Sequence, residues 1–168
     1  MIFDAVSQIE GSLDYIFVFL GSGAFLEELK VLVQSYNLTN KVKVEGFIPQ
    51  SELLKYTASA DIGVHALDRT CLNHEYCLPN KVFEYIHSGI GMICPDLVEL
   101  KKFIEENSLG RIYKSGDVNS LIIALEDFIN NPIKVENAKQ SAVKAQSEYN
   151  WSVEEKLLLA IYSDVLSK

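Results

Sequence analysis

An open α/β fold, a parallel sheet with helices on both faces, is what this sequence predicts, and three observations predict it. Short apolar runs of strand length alternate with stretches of helical period. Glycine-containing turns join the two kinds of segment, and the alternation continues to about residue 117 before three helical stretches close the chain. At 168 residues and 48% apolar composition, the chain has the length of one domain and the means to close one sizeable core. A single domain over 1–168, with C-terminal helices over about 118–168, is the expected organisation.

Each element follows from its pattern. Phe3, Val6 and Ile9 recur at helical spacing, Gly11-Ser12 break the pattern, and the run Tyr15 to Leu20 reads as a buried strand. Gly21-Ser22-Gly23 end that strand, and Ala24 to Tyr36 return to a helical period through Phe25, Leu26, Leu29, Leu32 and Val33. Lys41 to Glu45 alternate as a half-buried strand, Gly46-Phe47-Ile48-Pro49 make the turn, and Ser51 is the expected cap of a helix through Leu53, Leu54 and Tyr56. Asp61 to Leu67 is the third strand. A long loop, Asp68 to Pro79, leads into a helix carrying Glu84, and loops of that length inside a domain are usually functional. Gly91 to Cys94 and Gly110 to Tyr113 are strands flanking a helix over Leu97 to Asn107; helices over Val118 to Asn130, Ile133 to Gln146 and Val153 to Leu166 follow.

Composition excludes several classes. The net charge of −8, without a basic stripe, argues against a nucleic-acid partner. Cys71, Cys77 and Cys94 are odd in number and lack ligand-like spacing, so neither a disulfide framework nor a zinc site is expected, and a reducing cytoplasm fits. His65, His74 and His87 share no metal-ligand spacing, so no metal is expected. Neither a secretory leader nor a membrane span is expected from the pattern, and GxSxG, HExxH and GxxxxGK[ST] do not occur.

What remains is binding of a phosphorylated ligand. A helix that opens at Pro79, Asn80 and Lys81 exposes unpaired N–H groups and the positive end of its dipole, which suits phosphate, while Glu84 one turn on suits sugar hydroxyls. Taken alone, Lys81 and Glu84 also read as a solvated i,i+3 pair. Gly21-Ser22-Gly23 permits close approach of a phosphate, but Leu26 stands where a third glycine would complete a dinucleotide fingerprint, so a plain strand-to-helix turn fits equally well. His74, in the long loop, is a candidate ligand contact.

Phe17 to Gly23, Val42 to Pro49, Ala60 to Val64 and Leu78 to Tyr85 come in an order that resembles the C-terminal, donor-binding half of the GT-B fold glycosyltransferases of group 1, the retaining family 4. The resemblance implies a Rossmann-like sheet, donation from a nucleoside-diphosphate sugar, and no resident cofactor or metal. It implies that Glu84 binds the ribose, that Pro79, Asn80, Lys81 and Val82 face the diphosphate, and that Gly46, Phe47 and Ile48 meet the base. Gly21, Ser22 and Gly23 would border the phosphates, and His74 and Tyr76 would lie near the donor sugar. Tyr76 departs from the family pattern, since it occupies the place of the first Glu in E-x7-E, and Gly89-Ile90-Gly91-Met92 stands for Gly-x-Pro-Val.

The family's donor domain opens with a further strand, a glycine turn and a basic pair, and an acceptor-binding domain precedes it; these are expected to be missing before Met1. The expected function is therefore the donor half of an enzyme transferring a hexose-type sugar in surface polysaccharide or glycoconjugate synthesis, cytoplasmic or peripheral at the inner membrane face, with this chain alone inactive. The acceptor, a sugar or lipid-linked sugar, would be met through the missing N-terminal domain. A missing central strand would leave two unpaired edges, which a homodimer could cover. A non-catalytic interaction domain, or a fragment of a GT-B type sugar-nucleotide epimerase, are the alternatives.

Overall fold

The structure is a computed structural model, described over residues 1–9 and 14–167. The expected break at Gly11-Ser12 lies outside the described residues. Among the described residues five parallel strands alternate with helices, as the periodicities predict. The first half runs α1 (Ile2–Gln8), β1 (Phe17–Phe19), α2 (Leu26–Ser35), β2 (Val42–Val44), α3 (Gln50–Thr57) and β3 (Ile62–Val64). The second half runs α4 (Leu72–Tyr76), α5 (Asn80–Ser88), β4 (Gly91–Pro95), α6 (Val98–Glu106) and β5 (Gly110–Tyr113), and then the three C-terminal helices α7 (Val118–Ile129), α8 (Pro132–Ala145) and α9 (Trp151–Leu166).

The strands make a Rossmann-like arrangement in two sheets, and the gap between them leaves the two unpaired edges expected of a missing central strand. β1 pairs with β2, and β3, β4 and β5 pair in that order, all in parallel. The facing edges of β1 and β3 both line one groove of about 990 Å³. The physical reason for the division is that nothing among the described residues supplies a strand between those edges, so their backbone groups toward the groove have no ladder partner.

β4 is the centre of the larger sheet. All five of its residues are buried, as a short continuous apolar run in a parallel sheet should be. Its side chains alternate between two cores. Ile93 joins Ala5, Val6, Leu121, Leu125 and Phe128 on the side of α1 and α7. Met92 and Cys94 join Val82, Ile86, Leu100 and Ala142 on the side of α5, α6 and α8. Helices thus cover both faces, as the sequence predicts.

Two local expectations are corrected. The loop after β3 contains a short helix, α4, because Leu72 to Tyr76 has no Gly or Pro to prevent a turn. α3 starts at Gln50 under Pro49, one residue before the expected cap Ser51, whose side chain makes no capping bond. Pro at this position presets the entering backbone without needing an N–H partner.

Candidate functional site

α5 is placed by its two ends. Pro79 enters in an extended conformation (φ −74°, ψ 149°), which the ring favours and which starts a helix rather than extending one backwards. Gly89 leaves at φ 66°, the left-handed conformation that closes a helix cheaply only when no Cβ is present, and its N–H caps the carbonyl of Ile86. Because Gly89 is followed at once by β4, α5 runs antiparallel to the strands and its N-terminus lies at their carboxyl ends. In open α/β sheets this is where ligands bind.

At that N-terminus the N–H groups of Asn80 and Lys81 precede the first intrahelical bonds, whereas the N–H of Val82 donates to the carbonyl of Pro79 at 3.0 Å. The side chain of Val82 is fully buried in the core, so this residue offers a ligand neither a free amide nor a side chain. Lys81 and Glu84 instead face the groove, which β1 and β3 line from the other directions. Among the described residues no ion pair joins Lys81 to Glu84, so the solvated-pair reading of these two is not what the geometry displays.

A second group forms around the glycine turn. Gly21 (φ 148°) and Gly23 (φ 153°) adopt conformations closed to most side chains, and the N–H of Gly21 donates to the carbonyl of Gly46 at 3.2 Å. This bond joins the two turns. Gly21, Ser22 and Gly23 line a small cleft of about 190 Å³ together with Phe19, Glu45 and Leu29. Beside it Phe47 is 70% exposed, an unusual state for a large aromatic, and Ile48 is half-buried.

The third group sits on the loop after β3. His74 lies with Nδ1 2.9 Å from the carbonyl of Asp68 and 3.0 Å from Oγ1 of Thr70. A carbonyl can only accept, so Nδ1 carries the proton and Nε2 keeps its lone pair in the neutral ring. Tyr76 is exposed. Neither His74 nor Tyr76 lines the groove with Lys81 and Glu84, so the predicted site residues fall into three neighbouring groups rather than one pocket.

Sequence reasoning missed the strap that fixes this loop. Arg69 Nε lies 2.6 Å from Glu75, and its Nη2 donates to the carbonyl of Asp96 at 2.8 Å. The N–H of Arg69 donates to Oγ of Ser115, whose own N–H donates to Oδ1 of Asp96. The loop is thereby tied across the carboxyl ends of all three strands of the larger sheet. The one available signal was Glu75, a carboxylate adjacent to the anomalous Tyr76. Among the described residues no group of three or more His, Cys, Asp or Glu side chains is placed to hold a metal ion, and no helix is long and apolar enough to cross a membrane.

The family model of the glycosyl transferases group 1 matches residues 1–145. The chain belongs to this family. Group 1 membership accords with the solved structures it resembles. Sucrose-phosphate synthase (tll1590) from Thermosynechococcus elongatus superposes with a TM-score of 0.81 at 19% identity, over 99% of this chain and 41% of that one. Anabaena Alr3699/HepE, solved in complex with UDP and glucose, gives 0.76 at 16% identity, over 96% and 44%. The catalytic domain of cholesterol-α-glucosyltransferase from Helicobacter pylori gives 0.70 at 19%, over 89% and 88%. At these identities the likeness establishes the fold: this group 1 chain has the architecture of the C-terminal domain of GT-B glycosyltransferases. It spans about two fifths of the length of the first two relatives. Among curated proteins none matches it significantly by sequence.

Proposed function

We propose that this chain binds the nucleotide-sugar donor for a retaining transferase that moves a hexose-type sugar in surface polysaccharide or glycoconjugate assembly. The observation that carries the reading is the start of α5, where the amides of Asn80 and Lys81, unbonded among the described residues, and the carboxylate of Glu84 stand about one turn apart at the carboxyl ends of the strands. Helix amides and the Lys81 ammonium neutralise a diphosphate; the carboxylate of Glu84 accepts hydrogen bonds from ribose hydroxyls. Gly21, Ser22 and Gly23 border the phosphates, Gly46, Phe47 and Ile48 meet the base, and His74 and Tyr76 serve the sugar. That a structural relative was solved with UDP supports a nucleoside diphosphate as the ligand class.

In this reading no metal or resident cofactor takes part, because the amides and Lys81 meet the leaving-group charge. Closure of a second domain is what excludes water around the reacting centre and presents the acceptor, so this chain binds donor without transferring it. The site works on the cytoplasmic side, with the complete enzyme peripheral at the inner membrane face. The open edges of β1 and β3 favour a homodimer that covers them. Light scattering across a wide concentration range should show the dimer mass; a constant monomer mass would remove that part of the proposal.

Titration with UDP, GDP and dTDP followed by amide NMR tests the whole reading. Shifts that include the segments 46–49 and 79–85 are expected, and Glu84→Ala should weaken binding by about 1–3 kcal/mol. A folded chain silent to millimolar nucleotide would instead favour a non-catalytic interaction domain, the reading that Tyr76 in place of a carboxylate supports.

A further inference from the structure

His65 is 6% exposed, and among the described residues neither Nδ1 nor Nε2 of its ring has a hydrogen-bond partner. Its backbone is fully engaged: the N–H donates to the carbonyl of Ile93 at 2.9 Å, and the carbonyl accepts from the Tyr113 hydroxyl at 3.3 Å. A neutral imidazole always presents one N–H and one lone pair, and buried polar groups in folded proteins are almost always met. An apolar residue would fill this place without leaving a donor unsatisfied. The exception therefore calls for a partner.

The register shows where that partner would stand. β3 pairs with β4 as Gly63 with Met92 and Val64 with Ile93, so His65, bonded onward to Ile93, lies beside Cys94. Side chains alternate along a strand, which puts His65 on the face of Gly63, and a Cβ on Gly63 would meet the ring of Tyr85 at 2.6 Å. That face is the one α5 covers. Since α5 runs antiparallel to β3, a position two residues beyond Gly63 lies under the helical turn before Tyr85, the turn of Lys81 and Val82. Lys81 is also the charged group whose field acts on the ring. The unmet imidazole and the unbonded amides of Asn80 and Lys81 therefore converge on one place.

We propose that His65 is a ligand-binding residue of this site, donating its ring N–H to a phosphate oxygen of a nucleoside diphosphate seated at the start of α5. The inference rests on the nucleotide reading above and adds to it a residue that touches phosphate. Phosphate oxygens only accept, so they match a group whose need is an acceptor, and they already suit the adjoining amides. Both ring nitrogens are closed to solvent, so the side chains around them must shift as the phosphate arrives, and the ring becomes a direct reporter of that arrival.

The test is a titration of UDP into the full chain, into His65→Leu and into His65→Gln, with the thermal midpoint of each measured alongside. His65→Leu removes an unmet buried donor, so its midpoint should hold or rise while its Kd for UDP weakens about tenfold. His65→Gln keeps an N–H and should recover part of the affinity, and uridine, which carries no phosphate, should not distinguish the three proteins. Equal UDP affinity in the parent chain and a folded His65→Leu would overturn the role of His65 while leaving the nucleotide reading intact. A parent chain that does not bind UDP overturns both. Should His65→Leu fail to fold, ¹⁵N spectra of the parent ring decide: His65 nitrogen resonances unmoved at UDP saturation would also defeat the proposal.

Discussion

At the scale of single residues, His65 ties stability to pH. Burial first, and then the charge of Lys81, lower its folded pKa to about 4, against an ordinary value near 6.5. Between those values the unfolded chain binds the proton and the native protein does not, so stability falls as pH drops from 6.5 toward 4 and the full contribution is present above 6.5. The expected loss across that window is on the order of 3 kcal/mol. Urea midpoints at pH 7.5, 5.5 and 4.5 for the parent and His65→Leu check it: the difference between the two proteins should grow as the pH falls, and a constant difference would mean that the ring titrates normally. Residue chemistry also marks what could be read early. The start of α5 at Asn80 was legible because helix-start signals are local. The bond between Gly21 and Gly46 was not, since it links two turns that only the tertiary fold brings together.

At the scale of elements, periodicity served well wherever an element packs. β4 was legible as an unbroken apolar run, and α7 as a helix whose Leu121, Leu125 and Phe128 share a buried face. α4 was not legible, because five residues are too few to display a period. The strap of Arg69, Glu75, Asp96 and Ser115 was equally hidden, because most of its bonds join residues far apart in sequence. α9 shows the opposite case: its sequence is apolar and its cap is good, with Asn150 accepting from the N–H of Val153, yet none of its described side chains is buried. α7 has the same kind of cap, Asp117 accepting from the N–H of Ser120, and a buried face in addition. Helices without tertiary packing are marginal in water. Hydrogen exchange by mass spectrometry should therefore find the amides of α9 exchanging far faster than those of α7; equal protection would show that a partner surface covers α9 in solution.

At the scale of the whole molecule, the two open strand edges were legible through the family resemblance, which implies a further strand between them, and not through patterning. The alternation of strands and helices and the parallel direction followed from pattern, but patterning does not say how many strands a sheet contains. The segment from β1 to α3 shares no strand ladder with the remainder, and packing ties it there: α3 lies on α5, Val33, Leu38 and Val42 join the core of α1 and α7, the rings of Phe3 and Phe19 stack at 5.4 Å, and the Tyr36 hydroxyl donates to Asp4 at 2.7 Å. A further tie is a long hydroxyl contact from Ser88 to the carbonyl of Leu54 at 3.4 Å.

The gap between β1 and β3 therefore divides the cooperativity of folding as well as the sheet. A segment whose hydrogen-bond ladder is separate from that of the body it packs on is expected to open at a lower free energy than that body. Heating should then give a calorimetric enthalpy larger than the van't Hoff enthalpy, with the turns of Gly21 and Gly46 released in the earlier step. Since the glycine turns lie on one side of that divide and the start of α5 on the other, a nucleotide held by both would act as a thermodynamic rivet: on saturation the two steps should merge into one.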